Sequence, residues 1–460
     1  MTTNPILTPE LLKLISSGDI TQLREVIEDV HPAEIADFVS DQENVDVWRL
    51  LAAIPQQQAA DVFSHFDLYR QVELASGAHR QAMAQMLEKL PHDDRADLVR
   101  RLDPKVAAQI LPLVAIAERE DIRKLTSYAE GTAGGLMSSD FATLRPDVTL
   151  AQALEQVRIQ APTRETIYYI YVVDEMQRLI GLVSLKNLIL GRPEQLVKDI
   201  SYEDVVSVDV GDDQEAVVRT IEKYDLLAIP VTTGDRKLVG IITHDDAIDV
   251  LRQEQQEDIE KLMAIRGSHM AGEYLRTSSW EHFRNRVVWV VILGVFGLVS
   301  GLIVQRSEGL LFQFAILVAF IPMLADTGGN TGSQSATLVV RALALGEVIP
   351  KDVLRVLFKE LKVSVLLAVV LAAVAFGRVM LLGSSSALPV GVSLAWVGTA
   401  ISIALGLQVV SSTMIGALLP LIAAKLKLDP ALVASPALTT IVDITGLLLF
   451  FGTAKLLLPV

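Results

Sequence analysis

The 460-residue sequence contains no cysteine, and it has fewer positive than negative charges. The lack of cysteine excludes disulfide bonds and thiolate metal sites. With 40 Lys and Arg against 55 Asp and Glu, the formal net charge is −15. This balance argues against nucleic acid as a partner and against docking on an anionic membrane surface, whereas it is compatible with cation binding.

The first residues, Met-Thr-Thr-Asn-Pro, also lack the basic and apolar regions of a cleaved signal peptide. We therefore expect the soluble part of the chain to stay in the cytoplasm.

Hydrophobic residues are distributed unevenly along the chain. Residues 1–285 are acidic and mostly helical in pattern, whereas residues 286–460 are dominated by Leu, Val, Ala, Ile and Gly. The second region contains five apolar stretches, and each could cross a hydrocarbon core of about 30 Å, which takes about 20 residues. These five predicted spans cover residues 287–304, 310–340, 361–382, 388–423 and 432–458.

Basic residues are concentrated in two of the loops between the predicted spans. The loop from Arg341 to Lys362 is the richest, and the short loop before the last span contains Lys425 and Lys427. Because cytoplasmic loops carry an excess of Lys and Arg, this pattern places the amino-terminal region and both loops in the cytoplasm and the carboxyl terminus outside.

Residues 1–130 contain short amphipathic stretches separated by proline. Proline is favoured at the first position of a helix, and Pro32, Pro55, Pro91 and Pro104 each follow one apolar stretch and open the next. This pattern predicts a small superhelical domain of helix–turn–helix units.

Residues 137–258 contain an internal repeat with an offset of 59 residues, which aligns Ile170–Asp174 with Ile229–Thr233 and Arg178–Ser184 with Lys237–Thr243. Each copy has two runs rich in β-branched residues around a polar turn, followed by an amphipathic stretch. The two copies resemble a tandem pair of CBS domains. Residues 259–285 have mixed charge, and we expect a connecting helix there.

A polar segment rich in glycine, residues 322–334, lies inside the second predicted span. Irregular backbone at membrane depth is tolerated only where it is packed in protein or lines a water-filled cavity. We therefore predict a broken helix here and a candidate pore lining. The candidate residues are Asp326, Gly328, Gly329, Asn330 and Thr331. The alternatives are that Asp326 caps a turn and that the other polar residues pack helices together.

Asp443 lies well inside the last predicted span. An ionised carboxylate at membrane depth usually faces a pathway or a partner, and no basic residue lies within two helical turns. The alternative is a helix-end acid paired with a base. Hard cations prefer oxygen ligands, and Mg²⁺ is held through one or two carboxylates while it keeps several waters. One Asp443 from each subunit of a two-fold dimer would provide such a pair.

Acidic residues are dense before the connector, where residues 201–260 contain 16 Asp and Glu against 5 Lys and Arg. Carboxylates at Asp246, Asp249, Glu254 and Glu257 would lie along one side of a helix and repel unless cations bridge them. This pattern suggests cation sensing, and the alternative is a solvated acidic surface.

Several motifs together resemble the MgtE family of magnesium channels over essentially the whole chain. They are Gly131–Met137, Thr166–Asp174, Gly328–Thr337, Asp429–Leu432 and Asp443–Leu448. The resemblance implies a bacterial inner-membrane protein, surrounded by lipid, with its amino terminus in the cytoplasm. It also implies a homodimer with one central pore, which closes when cytosolic Mg²⁺ bridges the domains. The implied domains are a helical N domain (1–130), tandem CBS domains (131–258), a connecting plug helix (259–285) and a five-span pore domain (286–460).

The resemblance also implies the residues that bind Mg²⁺. Asp443 corresponds to the carboxylate of the pore. The acids that correspond to the N-domain, CBS and linker acids of the family are Asp93, Asp97, Asp213, Glu215, Asp225, Asp246, Asp249, Glu254, Glu257 and Asp258. Asp429 corresponds to a loop acid of the membrane domain. Family members can also bind ATP between the CBS domains, at residues that this sequence does not identify. The chain departs from the family at Asp326, where a small residue is usual, and a carboxylate there would alter cation occupancy or selectivity.

The sequence therefore predicts a channel and not an enzyme. Two other classes of function are alternatives to this prediction. An intramembrane aspartyl protease would pair Asp326 with Asp443, but the chain lacks the Gly-x-Gly-Asp context of presenilin-like enzymes. A CBS-regulated, ion-coupled secondary transporter of divalent cations is the stronger alternative, and coupling to a proton gradient would distinguish it.

Overall fold

The computed structural model describes residues 13–15, 20–27, 30–265, 274, 277–383, 388–433 and 436–459. The chain divides into two compact units. The first contains the described residues up to Glu254 together with Tyr274, and the second contains the others from Gln255 onward.

The first unit begins with helices only, which agrees with the helical domain predicted from the proline spacing. These helices are α1 (Ile20–Ile27), α2 (Pro32–Val39), α3 (Asn44–Ala53), α4 (Gln56–Ser64), α5 (Leu68–Gly77), α6 (Arg80–Leu87), α7 (His92–Arg101), α8 (Pro104–Ile110), α9 (Ile116–Thr126) and α10 (Ala133–Leu136). Pro32 and Pro104 stand in the first turns of α2 and α8, where a missing N–H costs nothing. The buried apolar side chains of α1–α9, such as Leu50, Phe63 and Leu74, form one continuous core.

Two α/β halves follow in the same unit. The first half contains β1 (Phe141–Leu144), α11 (Leu150–Gln160), β2 (Thr166–Val173), β3 (Leu179–Ser184) and α12 (Leu185–Leu190). The second half contains β4 (Val208–Asp209), α13 (Gln214–Tyr224), β5 (Ala228–Thr232), β6 (Leu238–Thr243) and α14 (His244–Leu262).

Each half forms a three-stranded sheet with the same topology. The orders are β1-β2-β3 and β4-β5-β6, and in each sheet the first pair is parallel and the second antiparallel. Gly181 pairs with Val172 and Gly240 pairs with Val231, so the 59-residue repeat is also a repeat of strand register. The predicted pair of antiparallel strands is confirmed in both copies. The sequence pattern did not reveal the short leading strands β1 and β4.

The connector is not one helix. Helix α14 ends at Leu262, and Ala264 has a left-handed backbone with φ +53°, which ends a regular helix. The next helix begins at Ser279, capped by the Ser278 hydroxyl, which accepts from the Glu281 N–H. The prediction of a single helix over 259–285 is therefore wrong for the described residues. Residues 266–273 and 275–276 lie outside the part of the chain that the structure describes.

The second unit consists of helices. They are α15 (Ser279–Arg306), α16 (Glu308–Gln313), α17 (Ile321–Ala344), α18 (Val353–Leu382), α19 (Leu394–Lys425) and α20 (Pro436–Leu457). Among the described residues, four segments are long and apolar enough to cross a membrane: Ser279–Arg306, Pro350–Leu382, Leu394–Lys425 and Ala437–Leu457. Five such spans are therefore not confirmed. Helix α17 is long enough to cross a membrane, but its composition is too polar to place it among these four segments.

The predicted break at residues 322–334 is wrong, because α17 runs through the whole glycine-rich segment. The irregular backbone lies upstream, where Phe314 leaves helical geometry and a 3₁₀ turn covers Ala315–Phe320. Arg378 donates to the freed carbonyl of Ala319 at 2.8 Å and stacks on the Phe320 ring. Pro322 then stands in the first turn of α17, where its missing N–H breaks no hydrogen bond.

Candidate ion sites

The glycines of α17 allow close contact between helices. The buried face of α17 consists mainly of small residues, and a Cβ added at Gly416 of α19 would overlap the carbonyl oxygen of Gly332. Small residues let helix backbones approach closely in a membrane, where hydrophobicity does not drive helices together. The alternative of polar packing is thus closer to the structure of this segment than the predicted break is.

The hydroxyls of this face have partners within the protein. Thr331 donates to the Thr327 carbonyl at 2.8 Å, and its hydroxyl also lies 2.6 Å from that of Ser412 on α19. Gly328 is buried against Gln408 and Val442. Within this chain, the predicted pore-lining residues Gly328 and Thr331 therefore face neighbouring helices.

The other pore-lining candidates lie on or beside the exposed side of α17. Asp326 and Asn330 are exposed and one turn apart, and the Asn330 amide donates to the Asp326 carboxylate at 3.1 Å. Gly329 is half-buried, with Thr439 of α20 at ordinary contact distance. Asp326 caps no turn, because the helix continues in both directions around it.

Asp443 is half-buried on α20, and its Oδ1 is inaccessible to solvent and has no hydrogen-bond partner within the described residues. No basic side chain of the described chain forms an ion pair with it. The alternative of a helix-end acid paired with a base therefore finds no support. The next helical turn contains Gly446, and the carbonyl of the preceding residue, Val442, accepts a hydrogen bond from Gln408 at 3.1 Å.

In the first unit, the structure brings acids from three sequence segments together. Asp93 and Asp94 are in the first turn of α7, Glu165 precedes β2, and Asp246 is in the first turn of α14. We call Asp93, Asp94, Glu165 and Asp246 the acidic patch. The Oδ1 atom of Asp93 is buried and has no hydrogen-bond partner among the described residues.

Burial and mutual repulsion make the acidic patch hard to ionise. Burial and the charge of Asp246 raise the pKa of Asp93 well above its usual value and that of Asp94 to about 8. The same two effects raise the pKa of Glu165 to about 7. Burial raises the pKa of Asp246 to about 6, against the hydrogen bonds that it accepts from Thr243. A divalent cation would relieve this repulsion.

A second cluster, next to the acidic patch in sequence, has its charges paired. His92 lies 2.8 Å from Asp121 and 2.8 Å from Asp140, and the buried Arg95 pairs with Glu118 and Asp121. Burial lowers the pKa of His92, but the hydrogen bonds to Asp121 and Asp140 outweigh it and raise the pKa to about 8. Sequence reasoning did not find this cluster, since its members lie up to 48 residues apart.

Most of the other predicted regulatory acids have partners within the chain. Asp97 pairs with Arg100, Glu215 with Arg219, Asp249 with Arg252, and Glu254 accepts a hydrogen bond from Gln214. Asp213 caps α13, Asp225 ends it in a left-handed conformation, and Asp258 lies on α14. In the part of the chain that the structure describes, no three His, Asp or Glu side chains form a preformed metal site. Mg²⁺ that keeps its waters does not need one.

Glu257 and Asp429 share one cation from the protein, Lys261. The Lys261 ammonium lies 3.0 Å from the Glu257 carboxylate and 3.1 Å from the Asp429 carboxylate. Burial lowers the pKa of Lys261, but these two hydrogen-bonded acids outweigh it and raise the pKa. The sequence pattern pointed to Glu257 and the family resemblance to Asp429, but neither pointed to the lysine between them.

Comparison with known proteins covers almost the entire chain. A family model described as divalent cation transporter matches residues 321–453, the intracellular N domain model of MgtE matches 30–131, and CBS domain models match 133–192 and 197–253. The magnesium transporter MgtE of Thermus thermophilus is 37% identical over 455 residues, which cover 98% of both chains. The corresponding protein of Bacillus subtilis is 32% identical over 96% of both chains.

This chain belongs to the MgtE family. The predicted resemblance is thus confirmed, together with the helical N domain, the tandem CBS domains and a multi-pass membrane region. The alternative of an aspartyl protease finds no support, because MgtE is a family of transporters.

Two solved structures of soluble parts of magnesium transport proteins agree with this assignment. The soluble part of a magnesium transporter is 34% identical and superposes with a TM-score of 0.52, covering 54% of this chain and 97% of that one. The cytosolic domain of the Mg²⁺ channel MgtE in complex with ATP is 36% identical, with a TM-score of 0.51, and covers 53% of this chain and 100% of that one.

Proposed function

We propose that this protein is a Mg²⁺ channel that mediates passive uptake of the ion and is closed by cytosolic Mg²⁺. The observation that carries the proposal is Asp443, a carboxylate within an apolar helix whose buried Oδ1 lacks any protein partner among the described residues. A carboxylate in this environment is costly unless it faces a pathway or a cation. The similarity to magnesium transporters over the whole chain supports Mg²⁺ as the ion.

In this proposal, hydrated Mg²⁺ pauses between the Asp443 carboxylates of two subunits in a homodimer. Helix α17 is the fifth span, because its 24 residues are long enough and it packs closely on α19. The carboxylates hold the ion through its waters, which leaves the site weak enough to release it. Each unit of positive charge gains about 2.3 kcal/mol per 100 mV when it moves inward, so uptake needs no ATP.

Closure follows from the acidic patch. Cytosolic Mg²⁺ binds among Asp93, Asp94, Glu165 and Asp246 and offsets their repulsion, so it stabilises the compact arrangement in which they are close. When cytosolic Mg²⁺ falls, the uncompensated charges favour separation. Most of the other predicted acids already pair with bases, so we expect them to contribute to Mg²⁺ binding only through their electric field. They are Asp97 and the acids of α13 and α14, including Asp249.

In this proposal the protein lies in the bacterial inner membrane, as the family resemblance implies, with its amino terminus in the cytoplasm, as the loop charges predict. Because the chain has no native cysteine, single cysteines introduced at Lys351 and at Ser385, between the apolar stretches predicted from the sequence, can be labelled from either side of the membrane. Lys351 should react only from the cytoplasm and Ser385 only from outside, and the reverse pattern would contradict this orientation.

ATP is the proposed regulatory ligand of the CBS pair, because the related cytosolic domain was solved in complex with ATP. A titration of the full-length protein with ATP tests this proposal, and the absence of binding would contradict it.

Flux into proteoliposomes tests the role of Asp443. Asp443→Asn should lower Mg²⁺ uptake at least tenfold at sub-saturating ion, as expected when a ligand of the transported ion loses its charge. Asp326→Asn removes a second carboxylate, on the exposed side of α17, and it should change ion selectivity more than rate. Wild-type uptake by Asp443→Asn would reject the pore role. Uptake that follows an imposed pH gradient would favour the secondary transporter instead.

A further inference from the structure

Gln408 is a fully buried polar residue in the middle of the apolar helix α19. Gly328 of α17 and Gly446 of α20 leave the space that its amide fills, since a Cβ added at either position would overlap the amide nitrogen. Three helices therefore meet around one amide. A leucine or methionine could fill a similar volume, so packing by itself does not require a polar group here.

The Gln408 amide is bonded on one side only. Its Nε2 donates to the Val442 carbonyl at 3.1 Å, whereas its Oε1 is buried and has no hydrogen-bond partner within the described residues. An unpaired buried amide oxygen is costly in an apolar environment. The unpaired oxygen of the amide therefore lowers the stability of the folded protein. The hydrogen bond to Val442 is the one contact of this amide that an apolar side chain could not make.

That bond reaches the backbone directly before Asp443. Val442 is itself fully buried, and its side chain contacts Gly328 and Gly332 of α17. A hydrogen bond from α19 to this carbonyl, in addition to the packing, resists rotation of α20 about its own axis. Rotation of α20 would turn the Asp443 carboxylate away from its present direction, because the side chain follows the helix.

We propose that Gln408 is a positioning residue for the ion site, which holds α20 in the orientation that aims Asp443 at the transported cation. This inference rests on the proposed function of Asp443. The positioning role explains why the Gln408 Oε1 atom is left unpaired. The unpaired oxygen is the cost of an interhelical hydrogen bond that an apolar side chain cannot make. The positioning role also accounts for Gly328 and Gly446, which make room for the amide.

The test compares Mg²⁺ uptake of full-length variants in proteoliposomes. Gln408→Met keeps the length of the side chain and removes the bond. We expect it to raise the half-saturating Mg²⁺ concentration about tenfold, the low end of the effect of removing a group that orients a metal ligand, with a smaller change in maximal rate. Selectivity for Mg²⁺ over Ca²⁺ should also fall. Gln408→Leu is the second variant, in case methionine disturbs folding.

Ser402→Ala is the matched control. Ser402 lies on the same helix and donates to the Ala372 carbonyl of α18 at 2.9 Å, so the change removes an equivalent interhelical bond that does not lead to Asp443. Half-saturation and selectivity should stay at wild-type values in this variant. Equal effects of Ser402→Ala and Gln408→Met would show general loosening of the bundle and overturn the proposal.

A double-mutant cycle separates this inference from the proposed function. If Gln408 acts through Asp443, Gln408→Met should change neither half-saturation nor selectivity further in an Asp443→Asn background. Additive effects would overturn the positioning role and leave Asp443 in place. Wild-type uptake by Asp443→Asn itself would instead overturn the pore role.

Discussion

The contact between α17 and α19 yields a prediction that can be worked out from the structure. A Cβ at Gly416 would lie 2.9 Å from the carbonyl carbon of Gly332 and 3.1 Å from its Cα. Carbon atoms in contact prefer about 3.5–4.0 Å, so Gly416→Ala must move the two backbones apart by roughly 0.5–1 Å. Both obstacles are backbone atoms, so no side chain can rotate away.

The cost of this overpacking should be about 1–3 kcal/mol. Gly406 on the same helix is the matched control, because its added Cβ would meet only the Ala368 methyl, at an ordinary 3.8 Å. Gly406→Ala should therefore gain stability, by up to about 1 kcal/mol from helix propensity. Gly416 lies in the same helix and gains the same propensity, so the two alanine variants should differ by the overpacking cost alone, about 1–3 kcal/mol.

Thermal unfolding of the purified proteins in one detergent, at one scan rate, measures this difference. At about 2–4 °C per kcal/mol for a domain of this size, Gly416→Ala should unfold roughly 2–12 °C below Gly406→Ala. Equal unfolding temperatures would refute the reasoning, because the helices would then tolerate the extra carbon. The glycine-rich segment would in that case need another explanation.

Two further predictions concern the cytosolic charges and the Lys261 bridge. Because the folded pKa values of Asp94, Glu165 and Asp246 are raised to about 8, 7 and 6, their contribution to stability is present at low pH and lost as pH rises through these values. Without divalent cations, protection from proteolysis should therefore fall as pH rises from about 4, the ordinary pKa of these acids in an unfolded chain, to about 8, and added Mg²⁺ should restore it; protection that does not change with pH would contradict the assigned repulsion. Lys261→Met should leave Glu257 and Asp429 without their shared ammonium, and closure should then need less Mg²⁺ than in wild type. Lys425→Met, which removes a cation without an ion pair in the described residues, is the control, and an equal shift in both variants would argue against a specific role of Lys261.

Much of the architecture could be predicted from local patterns. Proline spacing indicated the short helices of the first domain, and the 59-residue offset indicated two α/β halves, because these signals act within a few residues. The strands β1 and β4 were missed, since four and two residues carry little periodicity. The connector was predicted as one helix because mixed charge suits a helix, whereas Ala264 interrupts it.

The glycine-rich segment shows where local reasoning fails. Its buried positions 324, 328, 331, 332, 335, 336 and 339 follow helical spacing, so the signal for a helix was present. We predicted a break because glycines, an amide, hydroxyls and a carboxylate are costly on a regular helix that faces lipid. In the folded chain, the glycines of α17 have no side chain to keep α19 away, so the two helices come into close contact. The threonine hydroxyls donate hydrogen bonds to carbonyls four residues earlier in α17.

The domain order, the family and the two acids inside apolar segments can be predicted from residue order, because composition and motif spacing do not depend on tertiary contacts. Which charges act together is visible only in the folded chain. Folding joined Asp93, Asp94, Glu165 and Asp246 from three segments, and it placed Lys261 between Glu257 and Asp429. The physical reason is that electrostatic energy depends on distance and burial, which chain folding sets and residue order does not show.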